Sequence, residues 1–251
     1  MAISENMKIN GQNDGLSIRC RHCGAILKPD KAFEVCGVTK VGTWQQCQCL
    51  EARRERENEM AKERQRIAAE QMADLERRID RAGVPPKFRS ATTERTDIVR
   101  FALEGKGLYI QGPVGVGKTH LAMAIAIEAA RCGTTVRVTS SQRIMAAIRS
   151  TFGGEGSEND VFNSLVRPRL LVIDDLGKDA PTEWVVSMLY RIIEERYLMV
   201  KPVVITSNYS KRDLVSRLTV DGDSTSAEAI ASRLSEMTMR VKLDGDDRRI
   251  A

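Results

Sequence analysis

One segment of the chain, from Gly112 to Thr119, fits the pattern G-x-x-x-x-G-K-[S/T] at every position. It reads GPVGVGKT, follows the apolar run GLYIQ and precedes a run of helix formers that begins at Lys118. Glycines let the backbone bend so that successive N–H groups point at one anion, and the dipole of the following helix adds positive potential. The segment therefore requires a strand, a loop and a helix in this order, and it predicts a loop that binds phosphate.

Two side chains of this loop have predicted roles of their own. Lys118 is placed to reach the β- and γ-phosphates of a nucleotide, and the hydroxyl of Thr119 is placed to ligate Mg²⁺. The alternative, a glycine-rich turn that carries a lysine by chance, is disfavoured by the flanking strand and helix. We expect ATP to be bound by nine consecutive residues: Gly112, Pro113, Val114, Gly115, Val116, Gly117, Lys118, Thr119 and His120.

Two later apolar runs end in polar side chains. The run LLVI ends in the carboxylates Asp174 and Asp175. Because an acid at the C-terminal end of a parallel strand points into the nucleotide crevice, we expect Asp174 to hold Mg²⁺ and Asp175 to polarise the attacking water. The run ITS ends at Asn208, which we expect to orient that water against the γ-phosphate. The alternative for Asn208 is a turn opener, and the alternative for the acids is a solvated strand end.

From residue 83 onward, apolar runs alternate with helical stretches. The sequence predicts strands at 107–111, 135–139, 169–174 and 202–207, and helices at 118–131, 142–149 and 183–198. Such alternation is typical of an α/β fold, in which a parallel sheet has helices on both faces. The polar stretches 153–160 and 220–226 are predicted to be loops.

Five of the six cysteines lie within the first 50 residues. In a reducing compartment such a cluster indicates metal rather than disulfides. One C-x₂-C pair and one C-x-C pair suit tetrahedral Zn²⁺, and one ion would tie together a segment too short to build a core. The predicted zinc ligands are Cys20, Cys23, Cys47 and Cys49.

Alternatives to this ligand set remain open. Cys36 or His22 could replace one ligand, because the C-x-C pair is tighter than the C-x₂-C pair. Free thiols in a disordered leader or an iron–sulfur cluster would use the same residues. Cys132 stands apart from the cluster, and we expect it to be a small buried residue.

A charge-dense run separates the cysteines from the alternating region. Between Glu51 and Arg81 there are nine basic and nine acidic residues and no Gly or Pro, which predicts a solvated helix. Its narrow apolar seam is either a linker face that rests on its own domain or a surface for a partner; the members are Ala68, Met72, Leu75, Ile79 and Ala82. We therefore expect a zinc-binding module at 1–50, a linker helix at 51–82 and a larger domain at 83–251.

Composition excludes several classes of protein. There are 39 Lys and Arg against 34 Asp and Glu, a mild net charge of +5 that suits contact with nucleic acid but does not prove it. No apolar run approaches the roughly 18 residues of a membrane span, and the polar N-terminus lacks the apolar core of a signal peptide. We expect a cytoplasmic protein that does not enter a membrane.

The segment 83–249 resembles the DnaC/IstB-like ATPases of the AAA+ class, which include bacterial replicative-helicase loaders and transposition helpers. The resemblance rests on GVPPKFR from residue 83, GPVGVGKTHLA from 112, LLVIDDLG from 170, ITSN from 205 and ASRL from 231. It implies an ASCE-type P-loop sheet without a separate helical lid, and ATP hydrolysis at the interfaces of a homo-oligomer. The closing residues 245–249, GDDRR, depart from the family's Gly-x-Ser-Tyr-Arg by lacking its Ser and Tyr.

The resemblance also implies roles for three single residues. Arg233 corresponds to a catalytic arginine finger offered to a neighbouring subunit's nucleotide, with a plain surface arginine as the alternative. Arg249 corresponds to a residue that binds the γ-phosphate. Phe152 lies where the loader branch uses an aromatic ring to touch single-stranded DNA, with packing against the core as the alternative.

Three functions are consistent with the sequence. The first is an ATP-dependent loader that grips the hexameric replicative helicase through its cysteine module and places it on single-stranded DNA. The second is a transposition helper that acts on duplex DNA with a transposase, against which the cysteine module argues. The third is a scaffold whose nucleotide site binds without turnover, against which the intact Lys118, Asp174 and Arg233 argue.

Overall fold

A computed structural model of the chain describes residues 17–35, 38–152, 157–179 and 181–247. The chain divides into two compact units, residues 1–72 and 73–251. The boundary between the units falls within the long helix α1 (Leu50–Ala82).

The first unit contains two small antiparallel sheets and the beginning of α1. Strands β1 (Ile18–Arg19) and β2 (Ile26–Leu27) form one sheet, and β3 (Pro29–Val35) and β4 (Val38–Trp44) form the other. The buried apolar cluster of its described residues consists of Cys20, Cys47 and Ala52, with Leu27 and Cys49 packed against it. A cluster of this size cannot hold a fold together by apolar burial alone, so the unit needs another source of stability.

The second unit contains a five-stranded parallel sheet with helices on both faces. A short 3₁₀ helix (Pro86–Phe88) and α2 (Thr96–Leu103) precede the first strand. The remaining elements are β5 (Gly107–Gln111), α3 (Lys118–Arg131), β6 (Val136–Ser140), α4 (Ser141–Phe152), α5 (Glu158–Val166), β7 (Leu170–Asp174), α6 (Glu183–Leu198), β8 (Val203–Ser207), α7 (Lys211–Leu218), α8 (Thr225–Met237) and β9 (Thr238–Lys242).

The strand order of this sheet is β6-β7-β8-β5-β9, and every pairing is parallel. Strand β8 therefore lies between β5, which leads into the glycine-rich loop, and β7, which ends at Asp174. Because the strands are parallel, all their C-terminal ends meet at one edge of the sheet. This arrangement confirms the predicted α/β fold with a parallel sheet.

Alternate residues of the strands pack into two separate apolar cores, one on each face of the sheet. Leu108, Val172 and Val204 belong to the cluster that packs against α3 and the end of α1. Their neighbours Tyr109 and Ile205 belong to the cluster on the opposite face, with α4 to α8. Burial on both faces explains why these strands appear in the sequence as unbroken apolar runs.

The helix α1 enters this second unit with its last residues. Ile79 and Ala82 are buried in the core, and Leu75 packs against it. Met72, in contrast, is 59% exposed. The linker interpretation of the apolar seam is therefore correct for its C-terminal end.

The predictions of loops at 153–160 and 220–226 are partly wrong, because both stretches contain the start of a helix. Residues 158–160 belong to α5, because the side chain of Ser157 accepts a hydrogen bond from the N–H of Asn159 (3.2 Å) and caps the helix. Thr225 and Ser226 likewise belong to the first turn of α8.

Cys132 is exposed rather than buried, because it lies at the C-terminal end of α3. Among the described residues, none of the helices is both long and apolar enough to cross a membrane.

One buried arginine joins several backbone segments on the face of the sheet that carries α4 to α8. Arg196 on α6 is completely buried, and its guanidinium donates hydrogen bonds of 2.7–3.2 Å to the carbonyl oxygens of residues 165, 166, 168, 169 and 202. These carbonyls precede β7 and β8, and some of them, such as those of Val166 and Pro202, also accept from Lys201 or from the N–H of Leu171. Burial lowers the pKa of the guanidinium to about 10, so it remains charged at neutral pH.

Removing this cation should destabilise the fold strongly. We expect Arg196→Met to lower the free energy of unfolding by about 3 kcal/mol or more, because it removes a charged donor shared by five carbonyl oxygens from a fully buried position. Urea denaturation measures the change. Arg191→Met on the same helix is the control. The side chain of Arg191 is 48% exposed in its ion pair with Glu158, so its loss should cost about 1 kcal/mol or less. Similar losses for both variants would contradict the assignment.

Candidate nucleotide-binding site

The loop between β5 and α3 has the backbone geometry of an anion-binding loop. Gly115 and Gly117 have φ angles of 83° and 96°, in the left-handed region that favours glycine, and Gly117 is the N-cap of α3. Gly112 packs so closely on the carbonyl oxygen of Leu243 that a Cβ atom would overlap it. Backbone conformation and close packing thus explain the two glycines of the motif, Gly112 and Gly117, and the additional Gly115 between them.

Lys118 begins α3 and is 6% exposed. Its Nζ donates a hydrogen bond to the carbonyl oxygen of Pro113, at 2.6 Å, so the side chain folds back over the loop. A buried ammonium group beside a helix N-terminus gives the loop the positive potential that phosphates require.

A hydrogen-bonded cluster joins the start of α3 to the ends of β7 and β8. The hydroxyl of Thr119 donates to the carboxylate of Asp174, with distances of 3.0 and 3.2 Å to its two oxygens. The hydroxyl of Thr206, at the end of β8, donates to Oδ1 of Asp174 at 2.6 Å and accepts from the N–H of Asp175 at 2.9 Å. Burial raises the pKa of Asp174, and the bond from Thr206 opposes that shift. The cluster presents hydroxyl and carboxylate oxygens together, the ligand type that Mg²⁺ takes.

A cleft of about 380 Å³ lies beside this cluster. It brings together predicted site residues from three elements: the loop and α3 start with His120, Asp175 after β7, and Asn208 after β8. Asp175 has a φ of 55°, and its carboxylate lies 3.5 Å from Nζ of Lys178. Nε2 of His120 is 2.9 Å from the carbonyl oxygen of Thr92, which fixes its ring at the cleft.

Several residues of the site are not predicted by the sequence. Lys87 and Phe88 of the 3₁₀ helix line the cleft, as does Lys178. The segment GVPPKFR contributes to the family resemblance, but its spacing from the glycine-rich loop does not place it beside that loop. Thr206 was recognised only as a strand end, although it is the residue that joins the two acids.

The segment after β9 also reaches the loop. The N–H of Leu243 donates to the carbonyl oxygen of Gln111 at 2.7 Å, which continues the pairing with β5. The carboxylate of Asp247 then packs directly against Gly115, where a Cβ atom would overlap it. The chain thus places a negative charge beside its own anion-binding loop.

The structure separates Arg233 from this cleft. Arg233 lies about one turn before β9, whose first residue, Thr238, pairs with Gly107 at the start of β5. The loop follows the other end of β5, roughly 15 Å away along the strand. Phe152 is the last residue of α4, but its side chain, like the whole of Arg249, lies outside the described part of the chain.

The first unit brings the four predicted zinc ligands together. The sulfur atoms of Cys20, Cys23, Cys47 and Cys49 all lie within 4.8 Å of one another. Nε2 of His22 instead lies 2.9 Å from the carboxylate of Glu55, and Cys36 is outside the described residues.

The environment of these thiols favours loss of one proton before the others. Hydrogen bonds from the backbone N–H groups of Cys23 and His22 lower the pKa of Cys20 to about 6. The N–H of Ala52 favours the thiolate of Cys49, but burial and the neighbouring sulfur atoms raise its pKa to about 12. Close thiols cannot all ionise side by side without a cation, which is the electrostatic setting of a metal centre.

The fold and site together define a P-loop, ATP-binding protein of the AAA+ type. The strand order, the glycine-rich loop and the contact between Thr119 and Asp174 are the features that define this class. The chain belongs to the family of IstB-like ATP-binding proteins, whose model matches residues 39–251.

Individual relatives come from two groups. A putative ATP-binding protein of an insertion sequence from Mycobacterium tuberculosis is 27% identical over 162 residues, which cover 64% of this chain and 62% of that protein. The replicative helicase loader DnaI of Bacillus subtilis is 28% identical over 151 residues, 58% of this chain and 48% of the loader. The matches thus span less than two thirds of either relative. A crystal structure of DnaI has a similar fold, with a TM-score of 0.57 and 23% identity over 64% of this chain and 95% of that one.

The carboxylate beside the loop should weaken nucleotide binding. We expect Asp247→Asn to lower the Kd for ATP about fivefold, because it removes a like charge near the phosphates worth on the order of 1 kcal/mol. Titration with a fluorescent ATP analogue measures this. Asp246→Asn, the same change one residue earlier at an exposed position, should have little effect. Weaker binding by Asp247→Asn would mean that this carboxylate assists the nucleotide instead.

Proposed function

We propose that the protein is an ATP-dependent loader that binds a replicative DNA helicase and places it on single-stranded DNA. In this proposal residues 1–50 are a zinc-binding module that grips the helicase, residues 51–82 are a linker helix, and residues 83–251 are a cytoplasmic ATPase that works as a homo-oligomer. The observation that carries the proposal is the four-cysteine cluster, which precedes the parallel-sheet unit along a chain of the IstB-like ATP-binding family.

The grouping of charged and polar residues in the cleft supports a role in ATP hydrolysis. Lys118 would bind the β- and γ-phosphates, while Thr119 and Asp174 would hold Mg²⁺. Asp175 would polarise the attacking water, and Asn208 would orient it, because both line the cleft beside the loop. Arg249 would contact the γ-phosphate. Bound Mg²⁺ would neutralise the charge that develops on the phosphates during transfer.

Single substitutions separate binding from turnover. We expect Asp175→Asn to keep the Kd for ATP and to lower kcat about 100-fold or more, because the amide cannot accept the proton of the attacking water. Lys118→Ala should lose nucleotide binding itself. Phosphate release, assayed with single-stranded DNA and helicase present, gives kcat. A wild-type chain without turnover under those conditions would instead support the scaffold alternative.

Zinc would supply the stability that the first unit lacks. Four thiolates in two close pairs provide a tetrahedral, closed site, so the metal would be structural. Its binding would hold the two hairpins and the start of α1 together, and Arg56 strengthens this junction by donating to the carbonyl oxygen of Cys47 at 2.7 Å. A module built this way offers a firm surface to a partner.

Metal content and helicase binding should therefore be lost together. We expect one zinc per chain in the purified protein, and a stable complex with the cognate hexameric helicase in native mass measurements. Cys47→Ser should abolish both, because a hydroxyl is a poor zinc ligand. Cys132→Ser, which changes the exposed thiol outside the cluster, should preserve both. A wild-type protein that forms no complex with the helicase, with or without ATP, would overturn the loader proposal.

A transposition helper is the second candidate, because insertion-sequence ATP-binding proteins match this chain as well as the loaders do. The two candidates differ in the DNA they bind. A loader should prefer single strands, with the ring of Phe152 stacking on a base, a contact worth about 1–3 kcal/mol. Preference for duplex DNA at matched salt, together with binding to a transposase, would favour the helper.

A further inference from the structure

Arg233 is held by two residues of the neighbouring helix α6. Its Nε and Nη2 atoms donate to the carboxylate of Glu194, at 2.6 and 3.3 Å. Its guanidinium carbon lies 4.7 Å from the centre of the Tyr197 ring. One edge and one face of the guanidinium are thus fixed, while the Nη1 amino group takes no part in the contact with Glu194.

The two helices support this arrangement reciprocally. Tyr197 follows Glu194 by three residues on α6, and its hydroxyl donates to Glu236, which follows Arg233 by three residues on α8, at 2.6 Å. Buried Ile230 and Leu234 of α8 belong to the same core as α6. The ring that carries the guanidinium is therefore anchored at its far end, and helix packing sets the spacing.

The position of Arg233 prevents it from serving the nucleotide of its own chain. Tyr197 and Glu236 line a cavity with Gly107 and Thr238, at the edge where β5 and β9 begin. The phosphate loop follows the opposite end of β5. An action of Arg233 on ATP therefore requires a second chain, as in the oligomer of the proposed function, on which this inference rests.

We propose that Glu194 and Tyr197 are positioning residues that hold Arg233 in the orientation in which it contacts the nucleotide of the adjacent subunit. A free arginine side chain samples many rotamers, and an arginine acts on a developing phosphoryl charge only when its donors are already in place. Glu194 fixes the plane of the guanidinium, Tyr197 supports its face, and Nη1 is left to approach the phosphate. The carboxylate of Glu194 reduces the net positive charge of its pair with Arg233. The fixed orientation of the guanidinium offsets this loss.

Substitutions of Glu194 test the first part of the inference. Glu194→Gln keeps the length of the side chain but removes the charge-assisted fork, so we expect kcat to fall about tenfold with an unchanged Kd for ATP. Glu195→Gln changes the adjacent carboxylate, which is also half-buried, and should leave kcat unchanged. Tyr197→Leu should lower kcat, whereas Tyr197→Phe, which keeps the ring, should retain most of it. Thermal unfolding verifies that each variant is folded.

Two experiments distinguish positioning from a structural role. If Glu194 acts only through Arg233, the double variant Arg233→Ala with Glu194→Gln should have the kcat of Arg233→Ala alone. In mixed oligomers, a Lys118→Ala chain should restore turnover to a Glu194→Gln chain, because the first supplies a well-held arginine and the second a working loop. A kcat for Glu194→Gln equal to or above that of the wild type, or no gain on mixing, would overturn the inference.

Failure of the proposed function would appear differently. A wild-type chain that hydrolyses no ATP, or whose specific turnover does not depend on chain concentration, would overturn the oligomeric ATPase and this inference with it. A wild-type chain with concentration-dependent turnover and unaffected Glu194 and Tyr197 variants would overturn the positioning roles alone.

Discussion

The bond between Thr119 and the carboxylate of Asp174 is the contact on which the site depends. It can form only if the helix after β5 and the end of β7 meet across β8. The parallel register of the three strands produces that meeting, and Thr206 fills the gap between them. The hydroxyl of Thr119 and the carboxylate of Asp174 thus lie together at one edge of the sheet. This arrangement is consistent with the apolar strands, the glycines of the loop and the buried lysine.

Much of this arrangement could be predicted from the sequence. Strands buried on both faces appear as apolar runs, and the helices at 118–131 and 183–198 agree with the structure at both ends. The short helices α5 and α7 escaped prediction, because nine or eight residues carry too few turns to show a clear period. The caps from Ser157 and Ser210 define their starts only once the backbone is folded.

The site residues that the sequence does not predict were missed for one physical reason. Thr206, Phe88 and Asp247 are far apart in sequence, and parallel pairing or chain return brings each of them to the loop. A local motif identifies atoms that bind phosphate, but it contains no information about which distant side chains face them. The cysteine cluster could be predicted, because two pairs of cysteines at short spacing are a recognisable metal-ligand pattern. The structure brings their four sulfur atoms together.

The contact between Gly112 and the backbone of Leu243 has a practical consequence. Strand β9 runs beside β5 and delivers the following residues against the glycine-rich loop with no space for even a methyl group. A side chain at position 112 would therefore push β9 away from β5 and displace the backbone that cradles the phosphates, so one substitution there would disturb the sheet edge and the nucleotide loop together.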